Sequence, residues 1–347
     1  MKKSFATLLA LLLIAGAFYA ARKPILERVI AHSADATLQR VDTKMLGDGG
    51  LHVILCGTAA ALPDPLRAGA CTAIVAGGQL LLVDAGPASW RNVDSLNLPT
   101  SKLATVLVTH LHSDHIGDLG EATEQSWIAG RDQPLQIYGP PGIDEVVQGF
   151  AEVYHHDVGY RAVHHGEHAM PSAAATAVAH VIAPPVGTAA VPVFEQNGLR
   201  VSVFLVNHAP VDIAYGYRIE YNGRVVVLSG DTLPSDSVQI NAAGADLLLH
   251  EALDVNFTER ASARAKLLGM DRVAQLALDV NNYHTTPVQA AEIAQKAGVK
   301  ELVLTHIFPP LPNAIARHLF MEGTRDAFSG KLQLGEDGLR IDLPAAP

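Results

Sequence analysis

Thr109-His110-Leu111-His112-Ser113-Asp114-His115-Ile116-Gly117-Asp118 is the stretch whose reading decides the rest of the chain. It follows directly on the apolar run Ala104 to Val108 and places four ligand-competent side chains within six positions. On a turn leaving a strand, His110 and His112 can converge on one ion. Asp114 and His115, one bend further, can face a second. The same placement recurs downstream. Asn207-His208 follows the run Leu199 to Val206, Ser229-Gly230-Asp231 follows Arg224 to Leu228, and Thr305-His306 follows Glu301 to Leu304. Strand carboxyl ends converge in layered α/β structures, so four separated strands each deliver a metal-competent residue to one edge.

The donor types narrow the metal. His110, His112, His115, His208 and His306 with Asp114 and Asp231 make an imidazole-rich set, which suits two Zn2+ and disfavours calcium or magnesium, whose shells are all oxygen. Mn2+ and Fe2+ stay open as alternatives. Composition agrees, because 16 histidines against two cysteines indicate His-based metal chemistry rather than Cys zinc knuckles or a disulfide scaffold.

Around these residues runs a repeated grammar of short Val/Ile/Leu runs and Gly/Asp/His-rich turns. The further runs are His52 to Leu55, Ala73 to Val75, Leu80 to Val83 and Asp246 to Leu249. Continuous apolar runs predict strands buried on both faces, hence sheets covered by helices. Thr286-Pro287-Val288-Gln289 is a capping box with Pro at the first helical position, and Gly298 ends the helix it starts. Met170 to Val193, which has no charged residue, reads as a surface loop or flap. The His-rich segment Tyr154 to His168 reads as an active-site rim or flap, with Tyr160-Arg161 able to meet an anionic or aromatic substrate. Lys331 to Leu343 has strand-like alternation that closes a sheet edge.

The 347 residues are 49% hydrophobic and 17% charged, which excludes disorder, collagen-like repeats and coiled coil. A net charge of -10, with no basic run after residue 23, makes a phosphate backbone an unobvious partner. Lys2 and Lys3, then an uncharged apolar stretch over residues 4–21, then Arg22 and Lys23, read as an export signal or an N-terminal membrane anchor. The expected organisation is a signal peptide or anchor at 1–23, a linker at 24–48 and one catalytic domain at 49–347. That puts the catalytic part in the periplasm or outside the cell, either free or held at the inner membrane. Cys56 and Cys71 lie in two runs that can pair as neighbours, where a disulfide and two half-buried thiols are equal readings.

The pattern His110-x-His112-x-Asp114-His115, with His208, Asp231 and His306, resembles the metallo-β-lactamase-fold hydrolases. The resemblance implies an α/β fold, an αββα sandwich of two mixed β-sheets flanked by helices. It also implies that His110, His112 and His208 hold one metal, Asp114, His115 and His306 the other, and that Asp231 bridges them. Asp84 matches the aspartate of the family's first motif, which orients ligand histidines.

Gly57-Thr58 with Pro63 and Arg67, Ser229-Gly230-Asp231-Thr232, His250-Glu251-Ala252 and His284-Thr285-Thr286-Pro287 are similar to the branch that holds ribonuclease Z and the zinc arylsulfatases. In that branch the histidine at His284 assists the leaving group and the glutamate at Glu251 acts beside it. The catalytic residues expected are therefore Asp114, His284 and Glu251. Only a short turn at Asn222-Gly223 separates the segments between His208 and Asp231, which leaves no room for the tRNA-gripping arm of ribonuclease Z. The expectation is accordingly an extracytoplasmic arylsulfatase-like hydrolase of small anionic sulfate esters, with tRNA disfavoured and a homodimer consistent with the family's habit. A phosphodiesterase or ribonuclease Z-like endonuclease is the first alternative, and a lactonase or β-lactamase the second.

Overall fold

The computed structural model describes residues 2–347, with side chains from Gly16 onward, and divides into two units, residues 1–42 and 43–347. The first unit is the helix α1 (Lys2–Leu38), which carries Pro24 inside it. The segment expected as a linker from 24 to 48 is thus helical as far as Leu38. Its residues from Leu26 onward include many good helix formers, Leu, Glu, Arg and Ala, and no glycine. Most of the apolar stretch 4–21, read as signal or anchor, falls outside the residues with described side chains. Among the described residues no helix is long and apolar enough to cross a membrane.

The second unit is a sandwich of two seven-stranded sheets. Strands β1 (Leu51–Gly57), β2 (Cys71–Ala76), β3 (Gln79–Val83), β4 (Leu103–Leu107), β5 (Leu135–Gly139) and β6 (Ala177–Val181) form one sheet, edged beyond β1 by the last strand of the chain, β14 (Arg340–Leu343). In the other sheet lie β7 (Val191–Gln196), β8 (Leu199–Val206), β9 (Ala214–Tyr221), β10 (Arg224–Leu228), β11 (Leu247–Leu253), β12 (Glu301–Phe308) and β13 (Lys331–Leu334), adjacent in that order. Each sheet is antiparallel in one half and parallel in the other. All three tight hairpins use left-handed residue pairs, Gly77-Gly78 after β2, Asn197-Gly198 after β7 and Asn222-Gly223 after β9. Their twist matches that of the flanking strands.

Strand alternation explains the unbroken apolar runs. Leu51, Val53 and Leu55 of β1 pack between the sheets with Leu81, Val203, Tyr217 and Val303. Ile54 and Cys56, pointing the other way, pack with Trp90 and Val93 of α2 (Ser89–Ser95) and with the rest of the outer core. Both faces are buried, so no polar alternation shows in the sequence. After the short helix α3 (Ser113–Ile116) come α4 (Leu119–Ile128) and α5 (Ile143–His165), which cover the first sheet. The second sheet is covered by α6 (Asp236–Asn241) and, beyond the pair α7 (Val255–Leu267) and α8 (Asp271–Asp279), by α9 (Pro287–Ala297). Thr286 caps α9 through a complete capping box, and Gly298 ends it in the left-handed conformation, as the sequence predicts.

Two expectations need correction. Met170 to Val193 is not a loop throughout, since it holds the edge strand β6 and the start of β7. Its Ala-rich, uncharged composition hid the alternation of a strand that only one neighbour pairs. The His-rich segment is not a flap either. Residues 154–165 are the C-terminal half of the continuous helix α5, in part exposed and in part half-buried.

Candidate metal centre

Asp84 ends β3 in the left-handed region, at φ 61°, with its backbone N–H donating to Leu107 O at 2.8 Å. That turn sets its carboxylate against the loop leaving β4. One oxygen accepts from the Thr109 backbone N–H at 2.8 Å. The other accepts from the Thr109 hydroxyl at 2.9 Å and from His115 Nδ1 at 2.8 Å. With its Nδ1–H given to Asp84, His115 presents Nε2 as a lone pair. Gly86 lets the chains cross here, because a Cβ at that position would lie 2.1 Å from Asp114 O.

The expected ligands come together around Asp231, which follows β10. Its Oδ2 is 3.3 Å from Nε2 of both His115 and His306, 3.8 Å from His208 Nε2 and 3.9 Å from His110 Nε2. On one side, the donor atoms of His110, His112 and His208 all lie within 4.8 Å of one another; on the other, so do those of Asp114, His115 and His306. His306 Nε2 is 3.2 Å from Asp114 Oδ2 and 3.2 Å from His115 Nε2. His110 Nε2 is 2.9 Å from His112 Nδ1.

Electrostatics favour the ligating form at five of these groups, whereas at His115 burial acts to lower the pKa but the Asp231 and Asp84 carboxylates outweigh it and raise it well above the usual imidazole value. Burial holds His110, His112 and His208 below the usual imidazole pKa, favouring the neutral ring. For Asp114 and Asp231 burial acts to raise the pKa, but the surrounding histidines outweigh it and hold both carboxyls low and ionised.

The residues present fit a pair of divalent cations. His208 donates Nδ1–H to Tyr283 O at 2.9 Å, so its Nε2 is a buried lone pair facing the cluster with no hydrogen-bond partner. Leaving such an acceptor unmet costs about 1–3 kcal/mol. His115 Nε2, a lone pair by the same logic, faces the nitrogen of His306. Convergence of lone pairs on two points that share Asp231 is the demand a dinuclear site makes.

His284 flanks the cluster, its ring centroid 5.1 Å from that of His208 and 5.7 Å from that of His306. Its Nδ1 is 3.0 Å from Glu251 Oε1, which also accepts from the Thr232 N–H at 2.9 Å and the Thr285 N–H at 3.3 Å. Burial alone would lower the His284 pKa, but the Glu251 carboxylate prevails and raises it to about 9. The structure thus gathers into one cluster the seven residues the sequence named, with His284 and Glu251 beside them. Sequence reasoning assigned no role to Thr109, whose hydroxyl and N–H lock Asp84, or to the Tyr283 carbonyl that fixes the His208 tautomer. Their adjacency to His110 and His284 was the available signal.

Other polar residues lie outside the cluster. Arg218 is on β9 and donates to Asn241 O at 2.7 Å and to Glu220 at 2.9 Å, a structural set of contacts. Among the described residues, none of the α5 histidines joins a metal-competent cluster. Cys56 and Cys71 are joined in a disulfide across β1 and β2.

Comparison with known proteins agrees with this geometry. The β-lactamase superfamily domain matches residues 80–307. A ribonuclease Z from Mycobacterium bovis (strain BCG / Pasteur 1173P2) is 36% identical over 301 residues, covering 84% of this chain and 98% of the relative. Among solved structures, the metallo-β-lactamase-fold protein YhfI from Bacillus subtilis gives a TM-score of 0.61 at 21% identity, over 84% of this chain and 99% of the other. The short form of human tRNase Z gives 0.59 at 22% identity, with the same coverage. These two likenesses bear on the fold, an αββα sandwich as expected. The relatives carry the name of the phosphodiester-cleaving alternative and lend no support to the arylsulfatase expectation. Near-complete coverage of the mycobacterial relative also weakens the reasoning from a missing arm, since that relative has no room for a large extra segment.

Proposed function

This chain belongs to the β-lactamase superfamily as a metallo-β-lactamase-fold hydrolase of the ribonuclease Z-like branch, and from that premise we propose that it is a phosphodiesterase of the ribonuclease Z type, an endonuclease acting on RNA. The observation that carries the reading is the His284–Glu251 pair set against the seven-residue cluster. A hydrolase whose leaving group is a ribose alkoxide needs a positioned proton donor, whereas β-lactam or lactone opening leaves that pair idle. The pair serves a sulfate ester equally well, so the choice of phosphate rests on the curated relatives.

His110, His112 and His208 would hold one ion, Asp114, His115 and His306 the other, with Asp231 between them. Two Zn2+ suit this donor set best. When bound, they supply a water of lowered pKa and positive charge for the anionic oxygens of the substrate. The remaining work falls to the chain. Asp84 and Thr109 hold His115 in one tautomer, and the Tyr283 carbonyl does the same for His208. As the phosphorus–oxygen bond to the leaving group breaks, that oxygen takes a proton from His284 Nε2. Glu251, accepting at Nδ1, keeps the ring charged beforehand and aimed at the departing oxygen.

The proposed compartment is outside the cytoplasm. The Cys56–Cys71 disulfide supports it, because such bonds persist in oxidising compartments, as does the basic-then-apolar N-terminal stretch. The proposal is therefore an exported ribonuclease-like hydrolase. Titrating metal-depleted protein with Zn2+ while following bis-p-nitrophenyl phosphate hydrolysis tests the chemistry. Activity should level off near two equivalents per chain, and a plateau at one would overturn the dinuclear assignment.

A further inference from the structure

Two apolar clusters on the outer side of the first sheet do not meet. One includes Leu119, Ala122, Ile137 and Phe150, and the other is Trp127, Ala174 and Ala175 with Val158 and Met170 against them. Between α4 and α5, where the clusters part, lies a cavity of about 190 Å3. Ile137, Phe150, Val158 and Ala175 supply apolar wall, and the exposed residues Ala151 and His155 mark its opening to solvent.

Its polar wall holds one unmet group. The Thr123 hydroxyl donates to Leu119 O at 2.8 Å, and the Tyr154 hydroxyl donates to Glu121 at 3.2 Å. Glu124, only 5% exposed, has a carboxyl in hydrogen-bond contact with Asp157 and an Oε1 that meets no donor. Arg161 Nε stands 3.9 Å from that oxygen, but it is committed to Asp157 at 2.6 Å.

We propose that this cavity is a binding site for a small apolar molecule carrying one amine, whose ammonium group pairs with Glu124. Size sets the apolar part, since a dry cavity of about 150 Å3 holds benzene, and this one leaves room for a ring and a short tail. Charge sets the polar part. A carboxylate-bearing ligand would meet the Glu121 and Asp157 carboxylates with like charge, and a hydrocarbon would leave Glu124 Oε1 unmet at a cost of about 1–3 kcal/mol. A donor of positive charge both meets Oε1 and suits the acidic groups around it. Burial and the Asp157 carboxylate push the Glu124 pKa up to about 8 against the pull of Arg161, so the pocket holds a carboxyl that an ammonium would return to its charged form.

Isothermal titration of the full-length, metal-loaded protein with 2-phenylethylamine, propylbenzene and 3-phenylpropionate tests this. The amine should bind saturably and the acid should not. Glu124→Gln, which keeps the shape of the side chain, should weaken the amine about ten-fold and leave propylbenzene unchanged. Ala151→Trp, placed on the exposed rim, should abolish binding without lowering the melting temperature. Absence of saturable amine binding would overturn the proposal. So would undiminished affinity in either variant, or propylbenzene binding as tightly as the amine.

Discussion

Glu251 Oε1 receives three donors at once, His284 Nδ1 at 3.0 Å and the backbone N–H groups of Thr232 and Thr285 at 2.9 and 3.3 Å. The two backbone bonds fix the carboxylate, and the carboxylate fixes the imidazole. Because Thr232 follows Asp231 and Thr285 follows His284, this one oxygen ties His284 to the cluster around Asp231. Ring orientation at His284 is thereby set before substrate arrives.

His284→Ala should keep the metal content of the parent protein while kcat on an RNA substrate falls about 100- to 10,000-fold. With bis-p-nitrophenyl phosphate the loss should be much smaller, since p-nitrophenolate departs without a proton. Metal analysis and kinetics on both substrates check it. Equal losses on the two would mean that His284 does not serve the leaving group.

Asp84 touches no expected cation, yet it holds Thr109 and His115 in place. Asp84→Asn should therefore weaken metal binding about 10- to 100-fold. Competition against a chelator of known affinity reads this directly. Retention equal to that of the parent would show that the loop is positioned by something else.

The Cys56–Cys71 disulfide closes a loop with a sequence separation of 15. A loop of that length predicts about 3 kcal/mol of stabilisation. Denaturant unfolding with and without reductant should differ by that order. Two titratable thiols in the oxidised, native protein would contradict the pairing.

Gly230 immediately precedes Asp231 and has φ +60°, and a Cβ on it would lie 2.3 Å from Tyr215 O. Gly230→Ala should cost about 1–3 kcal/mol by forcing that backbone apart. It should also loosen metal binding through Asp231. Denaturation and metal retention measured together would show whether the two effects move as one.

What the sequence disclosed follows from where physical demands were local. The capping box at Thr286, the Asn222-Gly223 turn and the donors that follow β4, β8 and β10 each declare themselves within a few residues and stand where they were read, whereas His306, read as following its strand, lies inside β12 at a left-handed φ of 48°. The central strands were legible because burial on both faces leaves mostly apolar residues. Edge strand β6 was not, since an edge makes weaker demands and its alanines suit loop and strand alike. Helix α5 was missed for a related reason. Only Ile143 is fully buried along its 23 residues, so no apolar stripe marks it. The choice between sulfate and phosphate was not legible at all, because His284 and Glu251 answer the same need in both reactions.

The most direct measurement is a parallel assay of the zinc-loaded protein on a 3′-extended tRNA precursor, an unstructured RNA, bis-p-nitrophenyl phosphate and p-nitrophenyl sulfate, with His284→Ala beside it. Cleavage of RNA and of the phosphodiester is expected, reduced about 100- to 10,000-fold on RNA in the variant, with the sulfate ester left intact. Rapid sulfate hydrolysis with both RNAs and the diester untouched would contradict it.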